Sequence, residues 1–132
     1  MIKNIRHTGI VVIDLTKSML FYTEKLGFEV SKRMNESGSF IDKILGINNL
    51  MVTTVKMELK NGQMIELLDY TTHKKKFSEM FINDIGPTHL AFTVANLDEI
   101  YTNFSNDGIE FISNPEVSPD GIVKVAFCKA PE

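Results

Sequence analysis

The sequence predicts an α+β fold made of two tandem βαβββ modules. Three observations carry that prediction: an internal repeat, two matching sets of helix boundaries, and a hairpin signal between the copies. The repeat aligns His7-Thr-Gly-Ile-Val-Val12-Ile-Asp14-Leu15 with His89-Leu-Ala-Phe-Thr-Val94-Ala-Asn96-Leu97 at an offset of 82 residues. Past a one-residue deletion, Gly27-Phe28-Glu29-Val30 aligns with Gly108-Ile109-Glu110-Phe111 at an offset of 81.

Each copy opens on an apolar, strand-like run that stops at Asp14 or Asn96. Both are helix N-caps by chemistry, because a short side-chain oxygen accepts from free backbone N–H groups. Glu99 follows Asn96 at the spacing of a capping box. Leu15, Met19, Phe21, Tyr22 and Leu26 give the first helix a broad apolar face, and Gly27 ends it where a left-handed residue is wanted. Gly108 is the matching stop in the second copy. A β-prone run follows each helix, Phe28 to Val30 and Ile109 to Ile112.

Phe40 to Leu45 predicts a helical turn within a less regular stretch. Two strands, Val52 to Lys60 and Gln63 to Tyr70, then flank Asn61-Gly62, a two-residue hairpin signal in which both positions accept positive φ. Residues 71 to 84 are polar and lysine-containing, as a linker between modules would be. The second module has a third strand in Gly121 to Lys129, and its fourth strand is due where the sequence reaches Glu132. One domain over residues 1–132 is expected, with module one at about 1–72 and a truncated module two at about 84–132.

The 132 residues suffice for one sizeable core. Hydrophobic residues make up 43% and charged residues 23%, an ordinary globular balance. Net charge is −3, and the basic residues are scattered apart from Lys74-Lys75-Lys76, which argues against a nucleic-acid partner. No apolar run approaches the about 20 residues that span a bilayer, and the N-terminus lacks a signal-peptide core. Cys128 is the single cysteine, so no internal disulfide is needed and a cytoplasmic location is expected.

Strand alternation then selects the site candidates. His7, Gly9 and Val11 share one face of their strand, and His89, Ala91 and Thr93 share the matching face, so each imidazole has small neighbours. Glu66 shares its face with Met64 and Leu68, where an ionised carboxylate is costly unless paired, hydrogen-bonded or coordinated. The competing readings are packing histidines kept by common ancestry, and a Glu66 paired with a lysine or set at a sheet edge. Together His7, Glu66 and His89 make a mixed N/O donor set suited to Zn, Ni, Co, Mn or Fe(II). His73 lies in the linker and reads as solvated, Cys128 as a packed thiol, and the methionines as core filler. Arg33 is a candidate for an anionic substrate group, with a solvated surface arginine as the competing reading.

The chain resembles the vicinal-oxygen-chelate superfamily of glyoxalases, bleomycin-resistance proteins and extradiol dioxygenases. The resemblance runs through Arg6-His7-Thr8-Gly9-Ile10-Val11-Val12, Phe21-Tyr22 with Leu26-Gly27-Phe28, Met64-Ile65-Glu66-Leu67, Thr88-His89-Leu90-Ala91-Phe92 and Phe127 to Glu132. It implies two βαβββ modules curling into an open barrel around a metal. In size and spacing glyoxalase I and methylmalonyl-CoA epimerase look most similar. By the resemblance His7, Glu66 and His89 are metal ligands, and a fourth, a glutamate, belongs to a strand beyond Glu132. Ala130 departs from the aspartate usual in the terminal turn.

The resemblance implies a homodimeric, divalent-metal-dependent lyase or isomerase acting on a small α-hydroxycarbonyl compound or acyl thioester, with Glu66 also the catalytic base. Two further readings are a metal-free small-molecule (antibiotic) binder and an extradiol-type dioxygenase. The first has no need of a ligand set, and the second carries its glutamate on the last strand. A structural remnant is a third. Substrate-binding residues are not identifiable from the sequence.

Overall fold

Asp14 starts the first helix as its chemistry predicts: its Oδ1 accepts from the Lys17 backbone N–H at 3.0 Å. The computed structural model describes residues 1–132. They form two compact units, residues 1–76 with Pro131–Glu132, and residues 77–130.

The first unit runs β1 (Thr8–Val11), α1 (Leu15–Leu20), β2 (Glu29–Ser37), α2 (Ser39–Leu45), β3 (Met51–Glu58) and β4 (Met64–Tyr70). Helix α1 widens into a π-helical turn at Phe21–Lys25 and stops at Gly27, whose φ is 74°. The sheet order is β1-β4-β3-β2, so β1 and β2 are free edges and the mixed sheet stays unclosed. Strand β1 lies parallel to β4, and the β2–β3 and β3–β4 pairs are antiparallel.

Alternation divides the sheet into two faces. Val55, Met57, Ile65 and Leu67 point to one side and pack with Val12, Leu15, Tyr22 and Phe28, making the core beneath α1. On the opposite face Val52 packs with Ile41 of α2 and with Leu50, against Leu68 and Tyr70. At the hairpin only Gly62 takes positive φ, 83°. Leu59 N–H donates to Gln63 at 2.9 Å and Gly62 N–H to Leu59 at 2.8 Å, so the turn is a three-residue one, Lys60 to Gly62. The expected two-residue turn is corrected by one residue; Asn61 keeps ordinary φ and its side chain accepts from Gln63 N–H.

Strand β2 is interrupted. Val30 is opposite Met57, yet Lys32 is opposite Lys56, so Ser31 is the extra residue of a β-bulge. Ser31 Oγ donates to the Lys56 carbonyl at 3.2 Å and fixes the bulge. Past it the alternation reverses: Lys32 and Met34 join the face of Lys56 and Thr54, while Arg33 falls opposite Val55 on the α1 side.

The second unit has α3 (Leu97–Asn106), β5 (Glu116–Val117) and β6 (Lys124–Val125). Asn96 caps α3 by accepting from Glu99 N–H at 3.2 Å, and Gly108 takes φ 80° after it. The helix boundaries therefore repeat as the sequence predicts. The strands do not. His89–Val94 forms no strand, and the expected strand at Ile109 to Ile112 is a single bridge between Phe111 and Cys128. In the first unit β1 is hydrogen-bonded to β4 alone. Residues 77–130 hold no counterpart of β4, so their copy of β1 lacks the ladder that defines a strand. No helix is long and apolar enough to cross a membrane.

Candidate active site

The parallel register of β1 and β4 sets Gly9 beside Glu66. His7, two residues earlier, projects to the same face, and its Nε2 lies 3.2 Å from Glu66 Oε2. Gly9 keeps that corner narrow: a Cβ there would meet Leu68 Cδ1 at 3.3 Å. The Glu66 side chain is 14% exposed and that of His7 30%. His7 Nδ1 is buried and has no hydrogen-bond partner.

The spacing of the pair suits a fragment of a metal site. Two ligands at about 2.1 Å from one ion are about 3.0 Å apart at a right angle and about 3.4 Å apart at the tetrahedral angle. The observed 3.2 Å falls between them. One imidazole nitrogen and one carboxylate oxygen are also donors that borderline divalent ions accept together. The two residues fit such an ion. An unpartnered Nδ1 departs from the usual metal-bound histidine, whose second nitrogen is hydrogen-bonded.

His89 lies in the second unit, exposed, with its ring edge-on to Phe127 at a centroid distance of 5.4 Å. The Thr88 hydroxyl is 3.1 Å from His89 Nδ1; where Nδ1 carries the proton and donates, Nε2 is left as the free acceptor. Within neither unit do three His, Cys, Asp or Glu side chains gather at metal-binding range.

Sequence reasoning missed Lys56. Its Nζ is 3.9 Å from Glu66 Oε1 and its side chain is 24% exposed. The three-residue turn brings residues 56 and 66 opposite each other, where the two-residue turn read from Asn61-Gly62 would have set Met57. The other polar candidates stay apart from this face. His73 is exposed at φ 58°. Cys128 is exposed rather than packed, although partial burial of the sulfur pushes its thiol up from the ordinary range. Lys74 pairs with Asp69 at 2.6 Å and donates to the Ile13 carbonyl.

The chain is 30% identical over 112 residues to YwkD, an uncharacterized protein of Bacillus subtilis (strain 168), covering 83% of this chain and 76% of that one. It is 25% identical over 122 residues to a 2-epi-5-epi-valiolone epimerase of Actinomyces sp, covering 89% and 66%. Among solved structures, a glyoxalase family protein from Bacillus cereus superimposes with a TM-score of 0.87 at 21% identity, covering 97% of this chain and 87% of that one. A point mutant of the fosfomycin resistance protein FosX from Listeria monocytogenes, complexed with Mn(II) and 1S,2S-dihydroxypropylphosphonic acid, gives 0.64 at 17% identity, covering 98% and 85%. Residues 4–131 match the family description itself, and the chain therefore belongs to the Glyoxalase/Bleomycin resistance protein/Dioxygenase superfamily.

Proposed function

We propose that this protein is a divalent-metal-dependent lyase or isomerase acting on a small α-hydroxycarbonyl compound or acyl thioester. The observation that carries the reading is the approach of His7 Nε2 to Glu66 Oε2 at 3.2 Å on one sheet face. The epimerase relative and the Mn(II) complex of FosX support the class of chemistry. His7 and Glu66 would hold the metal, with His89 as the third ligand; Ni, Co, Zn, Mn and Fe(II) all suit these donors. When bound, the metal supplies Lewis-acid polarisation of the substrate oxygens.

The chain's own residues do the rest. Glu66 is the catalytic base, accepting at a carboxylate oxygen the proton that leaves the carbon next to the carbonyl. We place the protein in the cytoplasm as a homodimer. A lone cysteine needs no oxidising compartment, and exposed Ile112, Ile122, Val123 and Phe127 are surface of the kind an interface buries.

A second reading takes the same 3.2 Å contact as a hydrogen-bonded ion pair in a metal-free binding protein. Elemental analysis of purified protein separates the two. Near-stoichiometric divalent metal, lost in His7→Ala and in Glu66→Ala, is the expected result. Protein that carries no metal and takes up none of the five ions would end the enzyme reading.

A further inference from the structure

The face that carries His7 and Glu66 also carries a short row of cations. Reading across the sheet in register, Gly9 is beside Glu66, Glu66 is opposite Lys56, and Lys56 is opposite Lys32. Neighbouring strands are about 4.8 Å apart, so the backbones of Lys56 and Lys32 lie about one and two strand spacings from that of Glu66.

Three features make this arrangement unusual. Like charges directly opposite each other on adjacent strands repel, and nothing in the first unit neutralises this pair fully. Lys56 meets Glu66 only at 3.9 Å, and Lys32 takes part in no ion pair. Glu58 shares the face but is opposite Glu29, not either lysine. Second, Lys32 reaches this face only because of the bulge at Ser31; with unbroken alternation from Val30 it would sit on the α1 side and Ser31 would stand opposite Lys56. Bulges re-aim side chains in this way beside functional sites. Third, a metal held by Glu66 would add positive charge next to Lys56, and an anion lying between them would offset that repulsion.

We propose that Lys32 and Lys56 form a subsite for a phosphoryl dianion of the substrate. Two ammonium groups on adjacent strands match the charge of a phosphate or phosphonate better than that of a single carboxylate. This deepens the metalloenzyme reading and rests on it for the assignment to substrate. The binding itself needs no metal.

The test is an amide NMR titration of the full chain, stripped of metal with EDTA, using inorganic phosphate and then acetate at constant ionic strength. Phosphate is expected to shift Lys32, Lys56 and their strand neighbours saturably, binding at least about tenfold more tightly than acetate. Lys32→Met and Lys56→Met should each weaken phosphate at least about fivefold, while Arg33→Met, one residue on and on the other face, leaves it unchanged. Shifts that scatter over Lys74 to Lys76, acetate binding as tightly as phosphate, or an Arg33→Met effect equal to that of Lys32→Met would each overturn the proposal. A dispersed spectrum confirms that each variant folds, and Lys32, being exposed, is the safer of the two. Since the titration is done without metal, a protein found metal-free by elemental analysis leaves these outcomes as decisive as before.

Discussion

The two halves of the repeat start from the same local signals and arrive at different structures. In the first unit eleven apolar side chains are buried, from Val12 to Leu67; in the second Phe104 is the one. Helix α1 and helix α3 both begin at a capping Asp or Asn and are both followed by a left-handed glycine. Their sheets diverge. The first unit has a hairpin whose return strand, β4, gives β1 its partner. The second has no such return strand within residues 77–130, and Leu90, Phe92 and Val94 remain 37–40% exposed. Helices are specified by neighbours in sequence and strands by neighbours in space.

The largest expected break in that comparison comes from deleting equivalent apolar volume in each half. Leu67 is fully buried, so Leu67→Ala should cost ~2–5 kcal/mol in denaturant unfolding. Leu90 is 40% exposed, and Leu90→Ala should cost about 1 kcal/mol or less. Equal costs would mean that the second unit is as tightly packed as the first.

A smaller effect sharpens the boundary between the units. Glu132 belongs to the first unit, where its carboxylate accepts from the hydroxyls of Ser18, at 3.0 Å, and Tyr22. Both donors are nearly fully buried. Glu132→Ala should therefore cost about 1–3 kcal/mol by chemical denaturation. Hydrogen exchange should quicken in α1 and stay unchanged in α3. Faster exchange in α3 alone would contradict the placement of Glu132.

The smallest effect is chemical. Partial burial raises the Cys128 thiol above its ordinary value, so the thiolate fraction near neutral pH falls. Alkylation by iodoacetamide at about pH 7.5 should run slower than for a cysteine in a short peptide, and the two rates should converge as pH rises past both values. A faster reaction near neutral pH would refute the shift.

Much of the candidate site was legible because it follows from period-two alternation. His7, Gly9 and Glu66 meet on one face as the pattern predicts, since β1 and β4 run without interruption. Lys32 and Arg33 were not legible: one extra residue at Ser31 exchanges their faces, and no propensity marks that position. Lys56 was not legible either: the two-residue turn expected at Asn61-Gly62 would set Met57 opposite Glu66, and only the three-residue turn brings Lys56 there. The strand expected at His89 to Val94 failed for another reason. Its residues have the right pattern, and the missing term is a partner that local sequence does not contain.

Strand β1 is four residues long and is joined to the sheet by a single ladder, extended by one bond from Val12 N–H to the Leu68 carbonyl. His7 precedes it on the free edge, while Glu66 stands on an interior strand. Any group gripped by both is consequently a staple between the loosest and one of the firmest strands of the sheet. Occupancy and cohesion are then one equilibrium seen from two sides: each tenfold rise in free ligand above Kd adds about 1.4 kcal/mol to the fold.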